Sequence, residues 1–208
     1  MRNEDERSKK IIFTSSCVLN ANNKVRELAR YGGSCMPILE LLNNYGIGVQ
    51  QMDCPETLYL GINRWSATKN LYDTAGYRRF CRQMAEKQVD YIQSYYEADY
   101  EVIAVLWING SPSCGCDITC FGEDWGGTPM DMGEDSTFVP GTGIFVEELT
   151  KEFQRRGIRK PCYYGLDLED TNIPLENVYQ SLKKFLDEKM ISEGREERKE
   201  DDYGNTNY

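Results

Sequence analysis

Cysteines carry the chemistry that this chain advertises. The stretch Asn109–Cys120 reads Asn-Gly-Ser-Pro-Ser-Cys-Gly-Cys-Asp-Ile-Thr-Cys, and Tyr100–Ile108 before it is short, apolar and β-branched. That run predicts a buried strand, which Gly110 and Pro112 stop. Cys114 then sits in a tight loop just past a carboxyl end, where open α/β sheets bind ligands. Two more cysteines share that address: Lys10–Ser16 leads into Cys17, and Gly46–Met52 leads into Cys54. If the three strands are parallel members of one sheet, Cys17, Cys54 and Cys114 converge on one edge. Converging thiolates without histidine point to a metal or iron–sulfur site.

Composition narrows the chemistry. The 208 residues include no histidine, which removes Ser-His-Asp and Cys-His catalysis and histidine-ligated zinc or haem. Proton transfer falls to Glu, Asp, Tyr, Lys, Cys or water. With a net charge of −10, strong nucleic-acid binding would need a local basic patch. Arg78, Arg79, Arg82 and Lys87 come nearest, and they read as a solvated helix face. Eight cysteines in a chain that is not a short secreted scaffold argue for a reducing compartment. The start, Met1–Lys10, carries charges of both signs, and the apolar run after it is short. It resembles neither a signal peptide nor a membrane span, so a cytoplasmic protein without membrane contact is expected.

The elements that must position these cysteines can be read in order. Residues 1–9 form a polar tail, residues 10–191 one domain, and residues 192–208 a charged tail expected to be disordered. Strands are predicted at Lys10–Ser16, Ile47–Met52, Tyr100–Ile108 and Lys160–Leu168. Helices are predicted at Lys24–Tyr31, Cys35–Asn44 with Ser34 as N-cap, from Tyr77 to about Tyr95, at Ile144–Arg156 capped by Gly157, and at Pro174–Met190. Thr57–Ser66 reads as irregular and Phe121–Pro140 as a long surface loop. Alternating strands and helices make this an α/β protein, a three-layer sandwich around a mostly parallel sheet.

These residues together resemble the thiouracil desulfurase (TudS-like) family. The likeness rests on Ser15-Ser16-Cys17-Val18-Leu19 after the first strand, Cys54-Pro55-Glu56 after the second and Ser111-Pro112-Ser113-Cys114-Gly115 after the third. Gly141–Ile158 matches the family's Gly-rich helix start and Arg-Arg-Gly-Ile end. The resemblance implies a Rossmann-like fold and a [4Fe–4S] cluster held by Cys17, Cys54 and Cys114, with a fourth iron open to a thiocarbonyl sulfur. It implies that Glu56, Ser111 and Ser113 line the same edge. Gly61 and Arg64 match a Gly-x-x-Pro-Arg segment in part, with Asn63 in place of proline. Val18-Leu19-Asn20 replaces the usual Leu-Leu-Gly, and Asn20–Gly33 is longer than the family's loop, which places the chain nearer the TudS-related desulfidases.

The chemistry reads the same way from the residues. A soft, open iron prefers thiocarbonyl sulfur to carbonyl oxygen, and a carboxylate can activate the water that attacks the carbon. Glu56 is placed for that work, or is a surface salt bridge or a helix-end charge. Ser111 and Ser113 contact substrate or cluster, or cap the turn around Pro112. The expected substrate is a small thiolated heterocycle. A second reading takes Cys114, Cys116 and Cys120 with Cys17 or Cys54 as a Cys-only zinc or cluster site in a non-catalytic redox-sensing module. Cys81 reads as a core thiol, and Cys35 as a buried neutral one.

Overall fold

The computed structural model describes residues 5–123 and 136–204, with side chains as far as Ile191. Four strands form one sheet: β1 (Lys10–Ser15), β2 (Gly48–Met52), β3 (Glu101–Ile108) and β6 (Cys162–Leu166). Their order is β2-β1-β3-β6, and every pairing is parallel. Such a sheet must be covered on both faces, and β3 shows why: only Glu101 of its eight residues is not buried.

Helices supply the cover. On one face, α5 (Ala75–Glu97) and α6 (Ile144–Arg156) pack on Phe13, Val105 and Trp107. On the other, α2 (Met36–Asn44) and α7 (Leu175–Gly204) bury Ile38, Leu42, Leu182 and Leu186 against Ile12 and Leu106. The result is a Rossmann-like three-layer sandwich, as expected. Between Ile11 and Ile12 the register of β1 against β3 shifts, so that Ile103 is passed over. No described helix is long and apolar enough to cross a membrane.

Local departures from the sequence reading have local causes. The helix expected at Lys24–Tyr31 is absent; a single 3-10 turn at Ala21–Asn23 precedes irregular backbone. Arg30 spends its donors on the carbonyls of Asp170 (2.8 Å) and Ile173 (2.6 Å), ties outside the segment that hold it in place. Conversely, the stretch expected to be irregular opens with α3 (Pro55–Leu60), where Pro55 takes the first helical position. The short helix α4 (Lys69–Tyr72) was also not foreseen. Phe121–Pro140 is not simply a loop. Its ends, with Ile118–Phe121 as β4 and Thr137–Pro140 as β5, pair as an antiparallel ribbon; residues 124–135 lie outside the described residues. The backbone of α7 stays helical to Gly204, past its expected end at Met190 and into the stretch expected to be disordered. Glu, Arg and Lys dominate residues 193–200 and are good helix formers. Residues 205–208 of that tail, and 1–4 of the first, are not described.

Arg78 and Arg82 do not form a free basic face. Arg78 bonds Glu147 (2.8 Å) and Glu148 (3.0 Å) on α6, and Arg82 reaches Glu148 at 3.4 Å. These pairs join α5 to α6.

The start of α6 locks the loop that carries Cys114. The N–H groups of Gly143, Ile144 and Phe145 donate to the carbonyls of Gly115 (2.7 Å), Pro112 (3.0 Å) and Ser113 (3.0 Å). A Cβ on Gly143 would stand 2.3 Å from the Ser113 carbonyl carbon, so only glycine allows this approach. Gly143→Ala should therefore cost about 1–3 kcal/mol as an overpacking change, read as a lower denaturant midpoint. An unchanged midpoint would show that α6 does not brace the loop.

Candidate active site

The chain leaves β1 toward β2 on one side and returns through β3 on the other. The carboxyl ends of β1 and β3 thus flank a topological switch point, where a parallel sheet opens a crevice. A cavity of about 450 Å³ occupies that place, and Cys17, Cys54 and Cys114 all line it. Cys17 lies in the single helical turn α1 (Ser16–Leu19) that follows β1. Cys54 is the N-cap of α3, and its Sγ accepts the Thr57 N–H at 3.4 Å. Cys114 sits in the turn after β3. There Gly110 takes φ +87°, a left-handed value that favours glycine.

Burial pushes the Cys17 thiol up to about 12, although Lys24 pulls the other way and Cys54 adds to the rise. Burial also raises Cys54 and, with the charges of Cys54, Glu56 and Cys17, raises Cys114 strongly. The three thiols are therefore close enough to feel one another. Among the described residues, no three Cys, Asp or Glu side chains gather closely enough to chelate one ion. Cys17, Cys54 and Cys114 share the lining of one cavity without forming such a chelate.

Glu56 is buried at the cavity wall, and it is not a surface salt bridge. Its Oε2 accepts from Arg64 Nε at 3.1 Å, with both side chains less than a tenth exposed. The rest of the Arg64 guanidinium bonds Thr57 Oγ1 (2.9 Å) and the Asn23 carbonyl (2.8 Å), and Nη2 lies 3.9 Å from Cys54 Sγ. Arg64, only a partial motif match in the sequence, thus orients both the carboxylate and the loop behind it. Among the described residues nothing donates to Glu56 Oε1.

The two serines divide. Ser111 lines the cavity, and its Oγ accepts the N–H groups of Ser113 (3.3 Å) and Cys114 (3.0 Å), so it shapes the turn. Ser113 is buried away from the cavity, with its Oγ 2.8 Å from the Tyr77 hydroxyl. The Cys114/Cys116/Cys120 grouping is not assembled. Cys120 lines the cavity, but Cys116 bonds Asp117 (3.2 Å) outside it, because its backbone has already turned away toward β4. Cys81, on the inner face of α5, is wholly buried. Cys35 is buried in the opposite core, and Cys162 packs beside it.

Two lining residues, Lys24 and Glu169, were not singled out in the sequence. Glu169 stands three residues past β6 and so obeys the carboxyl-end rule that found the cysteines. Lys24 carries no such signal, because an irregular loop brings it in.

Removing Arg64 would leave the Glu56 carboxylate buried and alone. Arg64→Met should lower stability by about 3–5 kcal/mol, read from denaturant unfolding at neutral pH. A loss below ~1 kcal/mol would mean that water reaches the carboxylate freely.

No protein-family model matches the sequence, and no solved structure gives a significant match. The uncharacterized protein MJ0003 of Methanocaldococcus jannaschii is 39% identical over 110 residues, which cover 52% of this chain and 69% of that protein. The chain therefore belongs to the same family as this archaeal protein.

Proposed function

We propose that this protein is an iron–sulfur-dependent desulfurase that removes sulfur from a small thiolated heterocycle. The observation that carries the reading is the placement of Cys17, Cys54 and Cys114 at the carboxyl ends of three adjacent parallel strands, around one cavity. The likeness to thiouracil desulfurases supports it.

Cys17, Cys54 and Cys114 would hold a [4Fe–4S] cluster. Such a cluster supplies, when bound, a soft open iron able to take a thiocarbonyl sulfur. The chain's own residues do the rest. Arg64 holds Glu56 by one oxygen and leaves Oε1 to take a proton from an attacking water. Ser111 fixes the peptide of Cys114 through its N–H. The apolar walls, Val25, Leu28, Ile108 and Phe138, suit the faces of a flat ring. Among the described residues, the two cations at the cavity, Lys24 and Arg64, are each paired with a carboxylate, so neither is a free charge for a phosphate. A small neutral ring suits this lining better than a nucleotide or folded RNA.

Anaerobic purification tests the reading. A brown protein with about four irons and matching acid-labile sulfide is expected from the cluster type; a colourless protein with zinc would overturn it. Serine at Cys17, Cys54 or Cys114 should abolish the visible absorbance, whereas Cys81→Ser and Cys162→Ser should keep it.

Glu56→Gln keeps size and hydrogen bonding but loses basicity. Iron and sulfide content should stay full while turnover of a thiouracil-type base falls by roughly 10²–10⁴-fold. Unchanged turnover would remove Glu56 from the reaction, and loss of iron would make it structural.

A further inference from the structure

Lys24 is only 7% exposed, yet it lines the cavity and bonds a single group, the Glu169 carboxylate. An ammonium has three donors. Among the described residues, two of Lys24's have no acceptor, and one oxygen of Glu169 accepts nothing. Arg64 at the same cavity contrasts with this, since Nε, Nη1 and Nη2 are all engaged by the protein. Buried donors without acceptors are costly, and a buried ion pair is a poor way to gain stability compared with apolar residues of the same size.

Anchoring does not account for the pair either. The loop that bears Lys24 is already fastened to the segment after β6 by Arg30, through the carbonyls of Asp170 and Ile173. Lys24 and Glu169 both line the cavity, as Cys17 and Glu56 do. They therefore look onto the edge that carries the cysteines.

We infer that Lys24 and Glu169 act together as a donor–acceptor couple that binds the N–H–C=O edge of a neutral cyclic amide, such as a pyrimidine base. The inference rests on reading the cavity as a heterocycle site. An ammonium beside a carboxylate presents a donor next to an acceptor. Its complement is an acceptor next to a donor, which is the lactam edge of a nucleobase. An anionic ligand would meet Glu169 and a cationic one would meet Lys24, so the couple selects for neutrality. Lys24 and Glu169 are specificity residues here, and the proton acceptor remains Glu56.

Uracil and 1,3-dimethyluracil separate the possibilities, because the second keeps the ring and carbonyls but has no N–H. Calorimetric titration of the full chain, purified anaerobically, should show uracil binding and a dimethyluracil affinity about ten- to a hundred-fold weaker, the loss of one or two charge-assisted hydrogen bonds. The double variant Lys24→Met/Glu169→Leu leaves no orphan charge, should unfold cooperatively, and should lose uracil affinity by a similar factor. Equal affinity for the two probes, no uracil binding by the unaltered chain, or undiminished binding by the folded double variant would each overturn the couple. The two probes need no variant, so the test stands even if the double variant fails to fold. Iron measured on the same sample keeps the two readings apart. An iron-free chain whose uracil binding depends on N–H supports the couple and sinks the desulfurase. An iron-loaded, active chain that binds both probes alike sinks the couple alone.

Discussion

Parallel pairing of β1, β2 and β3 is the constraint on which everything else depends. Parallel strands end on the same side, so three cysteines far apart in the chain reach one edge. An antiparallel partner for β1 would send Cys17 or Cys54 to the opposite end of the sheet. The same pairing requires helices on both faces, and α5 and α6 therefore lie close enough to brace the Cys114 turn from behind. Site and scaffold follow from one choice of strand direction.

A second constraint is electrostatic. The cavity is lined by buried charge arranged as two pairs, Arg64–Glu56 and Lys24–Glu169. Buried pairs contribute little net stability, because desolvation offsets the attraction. Their value lies in orientation. Arg64 ties Glu56 to Thr57 and to the Asn23 carbonyl, so a carboxylate, a helix start and a loop move as one body. Lys24 follows Asn23 directly, and one short turn thus links both pairs. Asp170 also lines the cavity, where its carboxylate accepts the Asn172 N–H.

The outer packing has a similar economy. Arg78 and Arg82, basic residues that in isolation suggest a polyanion, are used to join α5 to α6 through Glu147 and Glu148. Arg156 likewise reaches Asp90 across the same two helices.

Sequence by itself determined the four strands of the parallel sheet, the longer helices and the three cysteines at strand ends. Those features are written in short-range signals: apolar runs of fixed period, prolines and glycines that stop them, and Gly157 in the left-handed conformation closing α6. It also marked Glu56, through its place two residues after Cys54. Only the tertiary structure decided which serine faces the cavity. Ser111 and Ser113 are two residues apart in one turn, and which of them meets Tyr77 depends on where α5 packs. Tertiary structure also brought in Lys24, carried by a loop that Arg30 ties to carbonyls 140 and 143 residues away in the chain. Periodicity cannot encode such a contact. The helix expected at Lys24–Tyr31 fails for the same reason, since ties to a distant segment outweigh weak local propensity in so short a stretch.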